Sequence, residues 1–99
     1  MSRIYLVSYE FMNDPEDYPG FFEALQSFDG WWHYINGTWL IATDLDAKAI
    51  RDRLLPHLDN DVNLLVAEVG NDMAGWLPKD AWDWIREKRK PLPAMAAQG

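Results

Sequence analysis

The chain of 99 residues contains no cysteine. That absence removes disulfide frameworks, thiolate metal sites and cysteine nucleophiles together, and it suits a reducing compartment. Basic residues are few: 9 Lys and Arg stand against 16 Asp and Glu, for a formal charge of −7. The deficit is uneven. Residues 1–85 hold 5 basic and 15 acidic groups, a balance of −10, whereas 86–99 hold Arg86, Lys88, Arg89 and Lys90 against Glu87. A field of that sign repels phosphate backbones, so duplex DNA is not an expected partner. No apolar run approaches the ~20 residues that span a bilayer, and the acidic balance opposes attraction to anionic lipid. The start, Met1 to Glu10, has one basic residue and an apolar stretch cut short at Ser8. It does not read as a secretory signal, and the expected location is the cytoplasm.

Further absences narrow the chemistry. Ser2, Ser8 and Ser27 lack a G-x-S-x-G setting, and no Gly-rich phosphate loop precedes a helical pattern, which sets aside serine hydrolases and nucleotide triphosphatases. The two histidines, His33 and His57, have no second histidine at i±2 to i±4, so one chain offers no histidine-rich zinc site. A His33 pair across a dimer axis stays open. Asp59-Asn60-Asp61-Val62-Asn63-Leu64 begins like a calcium loop, but Leu64 replaces the turn glycine and Gly70 stands where a bidentate glutamate belongs. It reads as a helix-to-strand turn.

What is present is strand and helix patterning for one domain over 1–90. Ile4 to Phe11 alternates, with Tyr5, Val7, Tyr9 and Phe11 as an apolar row. Pro19 suits a helix's first turn, and Tyr18, Phe21, Phe22, Leu25 and Phe28 recur at helical spacing until Asp29-Gly30. Asn36-Gly37 between Trp31–Ile35 and Thr38–Thr43 is a strong hairpin signal. A two-residue loop with regular pairing predicts Tyr34 opposite Trp39 and Trp32 opposite Ile41 on one face. On the other it predicts Ile35/Thr38, His33/Leu40 and Trp31/Ala42.

Asp46 is placed to cap a second helix with Leu45 and Ile50 as its hydrophobic staple, and Pro56 should end the regular turn pattern near Leu55. Asp61 to Val69 reads as a strand apolar on both faces, and Pro78 to Lys88 as a third helix. Residues 91–99, with two prolines and no periodicity, read as a mobile tail.

The order β-α-β-β-α-β plus a helix predicts an α+β, ferredoxin-like domain with strand order 4-1-3-2 and two helices on one face. With Tyr5, Val7 and Tyr9 toward the helices, the other face shows Ile4, Leu6, Ser8, Glu10, Trp31, His33, Leu40 and Ala42. That surface is too apolar to leave in water. Either the helix carrying Trp82, Trp84 and Ile85 folds over it or a second copy of the chain does, and the two can coexist.

Ile4-Tyr5-Leu6-Val7-Ser8-Tyr9-Glu10, Trp31-Trp32-His33-Tyr34, Thr38-Trp39-Leu40-Ile41, Ile50-Arg51-Asp52-Arg53-Leu54, Pro56-His57-Leu58-Asp59, Leu64-Leu65-Val66 and Gly75-Trp76-Leu77-Pro78 resemble small bacterial and phage-borne proteins often labelled SinR-family. Those are distantly similar to the small CRISPR adaptation subunit and to virulence-associated protein D. In the CRISPR subunit the first strand ends in Tyr-Asp, and paired aspartates of a ferredoxin-like homodimer hold a divalent metal for phosphodiester hydrolysis. The matching pair here is Tyr9-Glu10, where the glutamate's extra methylene moves the carboxylate by ~1.5 Å.

Two functional readings follow. The first is a non-catalytic homodimeric interaction protein that needs no cofactor and engages a protein partner or a small nucleotide-like ligand, in a phage or mobile-element setting. Its candidate contact residues are Ser8, Glu10, Trp31, His33, Leu40, Trp76 and Trp82. The alternative, implied by the resemblance, is a magnesium-dependent phosphodiesterase using Glu10. Antiparallel order brings Asp61, Thr38 and the Asn36-Gly37 turn toward Glu10, and Asp61 is its candidate helper. The six tryptophans can stack bases, but base-stacking sheets set basic residues beside their aromatics and Trp31 to Thr43 has none. Core and interface packing is their expected role.

Overall fold

A computed structural model of the chain describes residues 3–11 and 14–88. Strands β1 (Arg3–Glu10), β2 (Gly30–Ile35), β3 (Thr38–Thr43) and β4 (Asn63–Glu68) form one antiparallel sheet in the order β2-β3-β1-β4. This is the expected 4-1-3-2 read from the opposite edge. Helices α1 (Pro19–Gln26), α2 (Ala47–Leu54) and α3 (Lys79–Lys88) complete a ferredoxin-like α+β fold. The expected tail, 91–99, lies outside the described residues.

Local chemistry accounts for the element ends. Pro19 opens α1, where its missing N–H costs nothing. Asp46 caps α2, its Oδ1 accepting from the Ala49 N–H at 2.8 Å, one of the helix's otherwise unpaired donors. Regular turns then stop at Leu54, and Pro56 sits inside a 3-10 turn, Leu55–His57, as a residue without an N–H requires. A further 3-10 turn, Pro15–Asp17, precedes α1 where only a loop was expected.

The apolar row of β1 faces α1 and α2. Tyr5, Val7, Trp39 and Ile41 close against Phe21, Leu25, Ile50 and Leu54, all buried, with Tyr9, Leu64 and Val66 packed at the margin. Burying each such side chain stabilises by roughly 1.5–3 kcal/mol before chain entropy is charged against it. A second, smaller cluster lies on the sheet's other face. There Ala81 and Ile85 of α3 meet Ile4, Trp32 and Leu40, flanked by Leu6, Val69, Met73, Leu77, Trp82 and Trp84. The third helix is therefore what covers the apolar row of β1 and β3 within one chain.

The hairpin corrects the expected register. Ile35 does pair with Thr38, but Trp31 lies opposite Ile41 and Trp32 opposite Leu40, with an irregularity between Trp32 and Ile35. An extra residue on one strand flips every side chain beyond it to the other face. Trp32 therefore goes under α3, and Trp31 joins the α1/α2 side, the reverse of the expectation for both. The expected Tyr34–Trp39 pair falls on a side chain outside the described set. Gly37 is the positive-φ residue of the turn, at 75°, and a Cβ there would come within 3.1 Å of the Tyr9 carbonyl oxygen.

Strand β4 does carry apolar residues on both faces, but only one face is covered. Leu64 and Val66 pack on the first cluster, but Leu65 is 61% exposed. The cause is placement: α3 packs on β1 and β2, and its buried cluster includes no residue of β4.

Candidate functional site

Beyond the reach of α3, the C-terminal half of β1 and the start of β4 leave an open depression of about 210 Å³, lined by Ser8, Tyr9, Glu10, Asn63, Leu64 and Leu65. Register builds it. Ser8 lies opposite Leu65 and Glu10 opposite Asn63, so side chains of one parity share its floor. Asn63 Nδ2 donates to Glu10 Oε1 at 3.3 Å. On the other flank Ser8 pairs with Thr38, and the Tyr9 N–H donates to the Gly37 carbonyl at 2.9 Å. The hairpin turn therefore does sit at the end of β1.

A magnesium ion implied by the alternative reading would find a single carboxylate in this depression, already hydrogen-bonded to an amide. Asp61 lies in the turn before β4. Among the described residues no group of three or more Asp, Glu or His side chains is gathered where an ion could be held. The residues of one chain do not fit that group, whose usual demand is near-octahedral oxygen ligation.

Trp31 and His33 belong elsewhere. The His33 ring stacks on Trp39, centroids 4.4 Å apart and planes at 12°, and Trp31 approaches the same indole at 5.2 Å. Trp39 Nε1 donates to the Tyr9 hydroxyl at 3.0 Å. From Tyr9 the rings continue through Phe11 to Tyr18, stacked at 4.7 and 4.3 Å. Burial lowers the His33 pKa, with a hydrogen bond to the Ile35 backbone opposing it. Its Nε2 is buried without a hydrogen-bond partner. Burial likewise raises the Tyr9 phenol, against the bond from Trp39. Near neutral pH this array is uncharged and suited to packing, not proton transfer.

The remaining candidates separate further. Leu40 is buried beneath α3, and Trp82 is half-buried on α3 at the edge of the same cluster. Trp76, in the connector, is fully exposed. The seven residues thus fall in four places: the depression (Ser8, Glu10), the second cluster (Leu40, Trp82), the β2 margin (Trp31, His33) and solvent (Trp76). Asn63 and Leu65, absent from the candidates, are the residues that complete the depression. Their signal was available in the sequence, since strand order 4-1-3-2 sets β4 beside β1.

No helix among the described residues is long and apolar enough to cross a membrane. No family model, curated protein or solved structure matches the chain.

Proposed function

We propose that the protein is a non-catalytic interaction module, working in the cytoplasm as a homodimer that engages a partner protein or a small nucleotide-like ligand. The observation that carries this reading is where apolar surface is left. Trp76 is fully exposed and Leu65 is 61% exposed, while Glu10 is the single carboxylate of its depression and His33 lies apart, stacked on Trp39. Large exposed side chains of this kind are the usual anchors of interfaces, and scattered acids are not a catalytic constellation. The resemblance to SinR-family-labelled proteins adds a setting, conflict with phage or mobile elements.

The test pairs sedimentation equilibrium at micromolar concentration with incubation of the purified protein and magnesium against single- and double-stranded nucleic acid. The reading expects a dimer and no cleavage above background. Reproducible cleavage by the wild type that vanishes in a folded Glu10→Gln protein would establish the phosphodiesterase reading instead. That substitution keeps shape and removes the charge a metal requires.

A further inference from the structure

The sheet has two edges, and they are not alike. β2 carries the irregularity between Trp32 and Ile35, a common device by which natural sheets spoil an edge for pairing. β4 carries none. Its six residues run in unbroken one-to-one register with β1, from Glu10↔Asn63 to Tyr5↔Glu68. Lys and Pro, other protections of an edge, are missing from β4, and its one charge, Glu68, stands at its last position.

The hydrogen-bond phase of β4 follows from one contact. The Val69 N–H donates to the Ile4 carbonyl at 2.8 Å, and antiparallel bonding alternates residue by residue. Asn63, Leu65 and Ala67 therefore bond toward β1, and Leu64, Val66 and Glu68 direct their N–H and C=O groups to the free side. Between Leu64 and Val66, the Leu65 side chain stands 61% exposed on the sheet face. Two chains of formal charge −7 repel over most of their surfaces, and the uncharged run Val62 to Ala67 is where they can approach.

We propose that β4 pairs antiparallel with β4 of a second copy about a twofold axis beside Leu65, joining two sheets into one of eight strands. The phase selects the register. Leu64 exchanges both backbone bonds with Val66 of the partner subunit, which places Leu65 opposite its own copy as a non-hydrogen-bonded pair, the closely spaced kind. Glu68 then faces Val62 of the partner subunit instead of another acid. The pairing is isologous, and every edge donor meets an acceptor.

This inference rests on the homodimer in the proposed function, and the experiment separates the two. The chain has no cysteine, so Leu65→Cys and Ala67→Cys each introduce one thiol at an exposed position. A non-hydrogen-bonded antiparallel pair holds Cα atoms about 4.5 Å apart, within disulfide range. Mild oxidation should cross-link Leu65→Cys to a dimer within minutes and leave Ala67→Cys monomeric under denaturing electrophoresis. Leu65→Lys removes two apolar side chains from the joint and sets like charges opposite each other, and should weaken dimerisation about a hundredfold with an unchanged circular dichroism spectrum. A wild-type monomer by sedimentation would overturn the homodimer and this inference together. A wild-type dimer that persists in Leu65→Lys, or that cross-links through Ala67→Cys and not Leu65→Cys, would overturn only the pairing proposed here.

Discussion

Ile85 is the residue on which the covering of the second sheet face depends. It is 4% exposed and, with Ala81, forms the buried side of α3 against Ile4, Trp32 and Leu40. Ile85→Ala removes three carbons and leaves a cavity, a loss of about 2–4 kcal/mol for a buried aliphatic. Besides Ala81 and the flanking Trp82 and Trp84, the ten residues of α3 are held by Lys79 and Arg86 reaching Asp83, exposed ion pairs that contribute little. The loss should therefore appear as local opening of α3. The sheet beneath keeps its contacts with α1 and α2.

Native-state hydrogen exchange reads this directly. Amides of Asp83 to Arg86 should exchange about 30- to 1000-fold faster in Ile85→Ala, each factor of ten being about 1.4 kcal/mol. Those of Val7 and Ile41, whose side chains sit in the other cluster, should change far less. Ile50→Ala, on the α1/α2 side, should instead accelerate the protected amides of the sheet and all three helices together. Equal acceleration of α3 and the central strands in Ile85→Ala would refute the argument, because it would make the two clusters one cooperative unit.

Two other perturbations have defined outcomes. Asp46→Ala removes the acceptor for the Ala49 N–H and should lower stability by about 1 kcal/mol, measured by urea unfolding, with Asp46→Asn recovering most of it. For His33, burial lowers the folded-state pKa below its ordinary value, so the unfolded chain binds the proton at higher pH. Stability is then complete above about pH 6.5 and falls as pH drops from there through the folded-state value. A urea midpoint followed from pH 7.5 to 5 should show this acid loss, and His33→Gln should flatten it.

The fold was readable in the sequence because its signals are local and mutually consistent. The Tyr5/Val7/Tyr9 row, the Asn36-Gly37 turn, the Asp46 cap and Pro56 each name an element or its end, and together they leave few topologies. The site was less readable because face assignment depends on register. Regular alternation from Asn36-Gly37 put His33 and Trp31 beside Leu40. The structure breaks that alternation between Trp32 and Ile35, and no glycine or proline within Trp31-Trp32-His33-Tyr34 announces it. Glu10 was placed correctly at the strand's end near the hairpin turn, but its hydrogen-bond partner is Asn63. The strand order placed β4 beside β1, but only the register puts Asn63 opposite Glu10.

The irregularity in β2 also explains how six tryptophans are distributed in so small a chain. With regular pairing, Trp31 and His33 would lie under α3 and Trp32 would join Trp39 on the α1/α2 side. One extra residue instead sends Trp32 beneath Ala81 and Ile85 and leaves Trp31, 43% exposed, at the margin beside Trp39. The same irregularity spoils β2 as a pairing edge. Both sheet faces thus gain an indole while one edge is closed, and β4 remains the regular edge of the sheet. An interaction module of this fold would then be directional, with the regular β4 edge, the depression beside it and the exposed Trp76 as the surfaces open to a partner.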